Sequence, residues 1–415
     1  MKLLYNLFLL LYPLGARLLS IGNEKAGQWL KGRHDIFGKI RAEIVNDHRI
    51  IWVHCSSLGE FEQGRPLIER FRIKFPSARI LITFFSPSGY EVQKDYKEAE
   101  WVFYLPLDSK DNASKFLDLV QPSLIVFIKY DFWYYYLNEA KQRNIPLILA
   151  SSIFRESQPF FKWYGDFHRQ MLQSFSTIFV QSKESVDLLA SIGITNVQQT
   201  GDTRFDRVLE ILKNFQPIDT VQKFCGNHPV IVAGSTWTED DKELEHYANN
   251  NQHIKFIIAP HQISKARIAE CLSLYQNAIT YSSVGPNIPY EASNVLIVDN
   301  IGMLSKLYKY AAIAYVGGGF GHDGVHNVLE AAVYGKPVVF GPVYDKYIEA
   351  KGLVEAGGGF SAENALHLEK QFDRLFDDAI LYKQASHAAA DFVRSNAGAT
   401  EKIISYIQEK RLFTV

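Results

Sequence analysis

Residues 50–71 read IIWVHCSSLGEFEQGRPLIERF. Four apolar or aromatic residues run into His54, a short polar turn follows, and an apolar pattern of helical period begins after Gly59 and Glu60. A buried strand thus hands over to a helix through a tight turn, the building unit of a parallel α/β sheet. A carboxylate, Glu60, stands at the handover. The positive end of a helix favours a negative group there, and Gly59 leaves room for a molecule to approach. A plain helix-capping role, worth roughly 0.3–1 kcal/mol, accounts for the same position.

The pattern recurs outward from this stretch. Short apolar runs bounded by turn residues predict strands at 79–84, 101–105, 123–128, 147–150 and 177–180 in the first half. In the second half they fall at 230–233, 254–259, 295–298, 313–316 and 337–340. Helical patterns lie between most of them, at 62–74, 184–191, 239–249, 263–275, 302–310 and 325–334. Near-continuous apolar strands alternating with helices imply parallel sheets covered on both faces. The expected architecture is α/β, with two Rossmann-like domains and a ligand cleft between them. The expected segments are 1–35 at the membrane, a domain over 36–207, a linker over 208–228 and a second domain over 229–415.

Bulk properties narrow the class. The chain has 415 residues, 47% of them hydrophobic and 21% charged, which supports two globular domains rather than disorder. Its net charge of -1 argues against a broad nucleic-acid-binding surface. Cys55, Cys225 and Cys271 are far apart and show no metal-ligand spacing, as expected of free thiols in a reducing compartment. The N-terminal stretch MKLLYNLFLLLYPLGARLLS is apolar but short: 14 residues separate Lys2 from Arg17, and Pro13 interrupts them. Spanning a bilayer takes about 20 apolar residues. Residues 1–50 carry eight Lys or Arg against four Asp or Glu, a local charge of +4. An apolar segment beside basic residues reads as a helix lying on an anionic membrane surface, or as one packed on its own domain.

Four constellations carry chemistry. In VIVAGSTWTEDDKEL, a strand ends at Ala233, and Gly234, Ser235 and Thr236 form a turn before a helix near Thr238. Backbone N–H groups at such a junction bind phosphate, although Thr236 with Glu239 also fits an ordinary capping box. In AYVGGGFGHDGVHNVLEAAVYGKPVVFGP, Gly317, Gly318 and Gly319 follow a strand and let a ligand come close. His326, Asn327 and Glu330 are expected on the helix that follows, with Glu330 placed to accept ribose hydroxyls. In KYDFWYYYLNEA, Lys129 and Asp131 emerge where a buried strand ends. In TGDTRFDRV, Arg204 between Asp202 and Asp206 serves either to bind an anion or to close an internal salt bridge.

Read together, SLGEFEQGRPLI, GDTRFD, AGSTW, IGMLSKLY and GVHNVLEAAVYGKPVVFGP resemble the 3-deoxy-D-manno-octulosonic acid (Kdo) transferases of lipopolysaccharide assembly. The resemblance implies a GT-B fold and inverting transfer of Kdo from CMP-Kdo to a lipid A precursor of the lipid IVA type. It also implies a cytoplasmic-face inner-membrane location on anionic lipid, with no cofactor, no metal and no nucleic acid. By the same resemblance Glu60 is the general base, with Lys129, Asp131 and Arg204 beside the reaction. Gly234, Ser235, Thr236, Pro260, His261, Ile301, Gly302, Met303, Gly318, Gly319, His326, Asn327, Val328, Leu329 and Glu330 hold the donor. Three departures stand out. The family's two acidic residues in ExELWP become Lys129 and Asp131 in KYDFWY, its PRH becomes Pro260–His261–Gln262, and Met303 replaces a common acidic residue. Arg204 stands where the family has a lysine. Competing readings are a GT-B enzyme acting on a UDP-sugar, as transferase or epimerase, and a non-catalytic nucleotide-binding protein of the membrane surface.

Overall fold

The structure, a computed structural model, describes residues 1–44, 49–284 and 292–414. It divides into two units, residues 1–207 with 397–415, and residues 208–396. Each is built on a seven-stranded sheet.

The first sheet contains β1 (Ile50–Cys55), β2 (Arg79–Phe84), β3 (Trp101–Tyr104), β4 (Pro122–Ile128), β5 (Leu147–Ser152), β6 (Thr177–Val180) and β7 (Val197–Gln199). Their order is β3-β2-β1-β4-β5-β6-β7, with parallel pairing between neighbours. All six residues of β1 are buried, which is why its sequence is nearly unbroken apolar. Alternate residues feed two cores. Trp52 packs with Phe116, Phe127 and Tyr136 on one face, while Ile51 and Val53 join Phe71 and Ile82 on the other.

The second sheet contains β8 (Val230–Thr236), β9 (Lys255–Pro260), β10 (Ala278–Thr280), β11 (Val295–Ile297), β12 (Ile313–Val316), β13 (Val338–Phe340) and β14 (Gly359–Ser361), in the order β10-β11-β9-β8-β12-β13-β14. In both sheets the winding reverses beside the first strand, between β1 and β4 and between β8 and β12. At such switch points the connections leave on opposite faces and open a crevice at the carboxyl ends. The eleven expected strands are present. The short edge strands β7, β10 and β14 were not expected from the sequence.

Two segments depart from the expected division. Residues 397–415 belong with the first unit, not the second. Ile403, Ile404 and Ile407 of the helix Ala399–Glu409 fill the core beside Phe71 and Phe75. Asp206 fixes its start by accepting Thr400 N and Thr400 Oγ1, both at 2.7 Å. The expected linker 208–228 is largely helical, with Thr203–Lys213 and then Asp219–Cys225, whose Val221 and Phe224 are buried.

The N-terminal helix Lys2–Leu19 runs through Pro13 instead of stopping there. It is long and apolar enough to cross a membrane by length and composition. It carries two apolar stripes. Tyr5, Leu9 and Tyr12 face the first unit, while Leu3, Leu7, Leu10, Leu14 and Leu18 are exposed. The docked stripe is tied by Tyr5 Oη donating to Asp108 and by Tyr135 Oη donating to Asn6 Oδ1 at 2.7 Å. Asp108 also accepts Tyr135 N and Tyr136 N at 3.0 Å each, so one carboxylate joins the N-terminal helix to the helix Tyr134–Gln142. Burial pushes the Asp108 carboxyl up to about 6, against the pull of the donors around it. An acid whose folded pKa exceeds its unfolded value favours the folded state most when protonated. That contribution is full below about pH 4 and is lost as pH rises through about 6. The stability of the wild type relative to Asp108→Asn should therefore grow between pH 7 and pH 5, by on the order of 1–3 kcal/mol. Urea titrations that give the same difference at both pH values would exclude this.

Candidate functional site

In the first unit the polar groups gather just beyond β1 and β4. Glu60 lies in the first turn of the helix Leu58–Lys74 and accepts a hydrogen bond from Ser57 Oγ. Asp131, past the end of β4, lies 2.7 Å from His54 Nε2. His54 is fully buried, and its Nδ1 is 2.8 Å from Thr83 Oγ1. Thr83 Oγ1 also accepts Trp52 Nε1–H at 2.7 Å, and the Asp131 carboxylate can only accept, so in the neutral ring Nδ1 takes the Thr83 hydroxyl proton. That assigns the His54 proton to Nε2, donating to Asp131. Trp133 Nε1 lies 3.2 Å from the same nitrogen, which cannot accept its proton while donating to Asp131. The buried Cys55 thiol is pushed up by burial first and then by Glu60 and Asp131, which places both carboxylates around the end of β1.

Lys129 has φ +68°, and its ammonium lies 5.3 Å from the Tyr130 ring centroid. Arg204 closes the internal salt bridge: Nε and Nη2 reach Asp202 Oδ2 at 2.8 and 2.7 Å, and its backbone N–H bonds Oδ1. Thr203 Oγ1 bridges Gln63 O at 2.6 Å and Ser151 Oγ at 2.8 Å, which seats this segment against the helix that carries Glu60.

In the second unit one buried carboxylate organises the site. Asp240 Oδ1 accepts Tyr315 Oη at 2.6 Å, and Oδ2 accepts Trp237 N and Gly318 N at 2.8 Å each. It thereby joins the helix Thr238–Asn250, strand β12 and the glycine loop. This replaces the expected pairing of Thr236 with Glu239: the cap is Asp240 on the Trp237 N–H. Burial raises the Asp240 pKa, and its hydrogen-bond donors oppose the rise. Asp241, also buried, is held by Arg267 and by Tyr275 Oη at 2.9 Å.

Gly234, Ser235 and Thr236 close β8, with Ser235 at φ +54°. A Cβ on Gly317 would lie 2.4 Å from Ser235 O, and one on Gly319 would lie 2.6 Å from Gly341 N. The bare backbone at these two positions lets other backbone segments pack closely against the loop. Pro260 ends β9, and His261 N bonds Thr236 O at 2.9 Å. The His261 ring stacks on Trp237 at 4.6 Å and on His326 at 4.5 Å. Trp237 Nε1 donates to His326 Nε2 at 3.0 Å. Burial, and then His261, lower His326 to about 4; burial also lowers His261. Both imidazoles are therefore neutral near pH 7, and their stacking costs no charge repulsion.

His326, Asn327 and Val328 precede the helix, which spans only Leu329–Ala332. Asn327 Oδ1 caps Leu329 N at 3.2 Å, and its Nδ2 donates to Glu330 Oε1 at 3.0 Å. Val328 and Leu329 are core residues, while Ile301 is exposed beside Gly302 and Met303. The sequence reading missed His54, Thr83, Trp237 and Asp240. The acidic run TEDD reads as a solvated helix start, and nothing local marks two of its carboxylates as buried. Asp240→Ala should cost unit two roughly 3–5 kcal/mol, because several buried donors lose their acceptor. It should also speed hydrogen exchange at Gly318. A wild-type urea midpoint with unchanged exchange would contradict this role.

Residues 31–207 match the family described as 3-deoxy-D-manno-octulosonic-acid transferase (kdotransferase). A bifunctional glycosyltransferase/methyltransferase of Fusobacterium nucleatum is 28% identical over 382 residues, covering 89% of this chain and 57% of its own length. The chain thus spans little more than half of that relative. A 3-deoxy-D-manno-octulosonic acid transferase of Rickettsia prowazekii is 28% identical, covering 86% of this chain and 79% of its own. One of Haemophilus influenzae is 24% identical, covering 94% and 93%. Among solved structures, a UDP-GlcNAc 2-epimerase from Neisseria meningitidis superposes with TM-score 0.62 at 16% identity, covering 87% of this chain and all of that one. A glycosyltransferase from Rickettsia africae superposes with TM-score 0.59 at 16% identity, covering 88% and 98%. At such identities these two likenesses establish the GT-B type of fold and nothing about the reaction.

Proposed function

From an N-terminal unit that belongs to the Kdo transferase family, in a chain related to those enzymes over most of its length, we propose a glycosyltransferase of lipopolysaccharide synthesis that moves Kdo from CMP-Kdo to a lipid A precursor. The observation that carries this reading is the position of Glu60. It lies inside the matched segment, one turn into a helix, at the carboxyl end of the strand beside the switch point. Its partner Ser57 donates to it, which leaves carboxylate lone pairs for another hydroxyl.

In this mechanism Glu60 takes the proton of the acceptor hydroxyl as its oxygen bonds to the anomeric carbon of Kdo. The bond from that carbon to the CMP phosphate oxygen breaks with inversion, and CMP leaves with the electron pair. Asp131 and Arg204 act differently from Glu60. Asp131 is engaged with His54, and Arg204 with Asp202, so both shape the surroundings of the base. The donor falls to the second unit, at the Ser235 turn, the His261–His326 stack and Glu330. Backbone donors meet the phosphate charge, and the reaction needs no metal.

The test is transfer of labelled Kdo from CMP-Kdo to lipid IVA in excess EDTA, with the lipid product weighed by mass spectrometry. Added Kdo mass is the expected result. Transfer from a UDP-sugar in place of CMP-Kdo, or activity that only magnesium restores, would overturn the reading. Glu60→Gln keeps shape but cannot take a proton. It should lower turnover about 10²–10⁴-fold with CMP affinity and melting temperature little changed. A variant that turns over near the wild-type rate would leave Glu60 as a helix cap.

The outward leucine stripe supports a second part of the proposal, attachment to an anionic membrane on the cytoplasmic face of the inner membrane. Replacing Leu3, Leu7, Leu10 and Leu14 by serine leaves the docked stripe intact. Salt-sensitive binding to phosphatidylglycerol vesicles should then fall at least tenfold; undiminished sedimentation with vesicles would refute attachment through this helix.

A further inference from the structure

A pocket of about 350 Å³ lies between the N-terminal helix and the helix Glu24–Arg33, walled by Tyr12, Ala16, Leu19, Ala26, Trp29 and Pro87. We propose that it seats one acyl chain of the acceptor glycolipid; this rests on the reading of that acceptor as an acylated, phosphorylated sugar.

The walls are apolar and, on both helices, small. Gly15 and Ala16 on one helix and Ala26 on the other leave a slot where larger side chains would interdigitate. A Cβ placed on Gly15 would meet nothing within 4 Å. The floor is firm: Trp29 is buried, its ring lies 5.2 Å from Tyr12 and 5.9 Å from Phe85, and Arg33 stacks on it at 4.1 Å. The rim is amphipathic. Leu19 and Ile21 are exposed, and Asn23 and Lys25 stand beside them. A chain with an anionic headgroup matches that rim, its hydrocarbon in the slot and its phosphate near Lys25.

The slot is joined to the turn that holds Glu60, which points to the acceptor as its occupant. Pro87 follows Ser86 directly, and Ser86 N donates to Ser56 O at 2.8 Å. Ser56 precedes Ser57, the partner of Glu60. Pro87 opens the helix Pro87–Gln93, so a chain lodged against it touches the start of that helix, whose cap Ser86 is bonded to the loop after β1 that leads to the proposed base.

The test fills the slot with Gly15→Phe combined with Ala26→Leu and reads two signals. For transfer, KM for lipid IVA should rise at least tenfold, while kcat/KM for the fully deacylated disaccharide bisphosphate stays unchanged. Equal loss on both acceptors, or no loss on either, overturns the proposal. The second signal needs no turnover. Lipid IVA analogues with brominated acyl chains should quench the fluorescence component that Trp29→Phe removes, and the filled variant should lose that quenching. Phosphatidylglycerol brominated on its chains, quenching as strongly as the glycolipid, would make the slot a general lipid site and reject the assignment. If Kdo is not the sugar transferred, the quenching arm still decides whether the chain binds.

Discussion

Burial of both faces of each parallel sheet is the constraint from which the remaining features follow. Strand β1 is buried at all six positions, and β9 likewise. Polar chemistry then has few places to go, because an unsatisfied polar group inside such a layer costs several kcal/mol. It collects at the carboxyl ends, where the winding reverses between β1 and β4 and between β8 and β12. Glu60, Asp131, Ser235 and the glycine loop all lie within a few residues of those ends. Two polar residues that enter the sheets show how burial is met: His54 is bonded to Thr83 and Asp131, and Tyr315 to Asp240.

Buried and half-buried carboxylates act as the connectors of both units. Asp108 joins the N-terminal helix to the helix Tyr134–Gln142, and Asp206 brings the C-terminal helix back to the first sheet. Asp240 gathers strand, helix and loop around the candidate donor site. Their partners differ in kind. Asp241 has the Arg267 guanidinium beside it, whereas Asp108 and Asp240 rely on neutral donors; burial raises the pKa of all three. Neutral donors fix direction as well as distance, so these carboxylates specify which segments meet even where they add little net stability.

The strands were legible because two-sided burial writes itself as unbroken apolar runs, as in RILITF and SLIVFI. The edge strands β7, β10 and β14 have three residues each and too little burial to leave such a signal. The C-terminal helix was not read from the sequence, and Ile403, Ile404 and Ile407 alone do not say which sheet they cover. Local order around Glu60 was readable as strand, turn and helix. Asp240 was not, since burial of a capping carboxylate depends on Tyr315 and Gly318, more than seventy residues away. The glycine run announced close approach, and at Gly317 and Gly319 the Cβ direction is filled by other backbone segments, which sequence spacing does not reveal.

Among the described residues, three non-glycine positions take left-handed backbone at the carboxyl ends of strands: Lys129 after β4, Ser151 in β5 and Ser235 in β8. Each conformation costs on the order of 1 kcal/mol that glycine would avoid. A side chain kept at such a position must return something through what it touches. At Ser151 the return is visible, since its hydroxyl meets Thr203, and Thr203 in turn bonds the helix that carries Glu60. The segment containing Arg204 is thereby fixed in register with the proposed base. The same reasoning applies to Lys129 and Ser235, which stand at the two switch points. Backbone strain, sheet topology and the placement of the carboxylates thus converge on the carboxyl ends of the strands at and beside the two switch points, although each follows from a different part of the sequence.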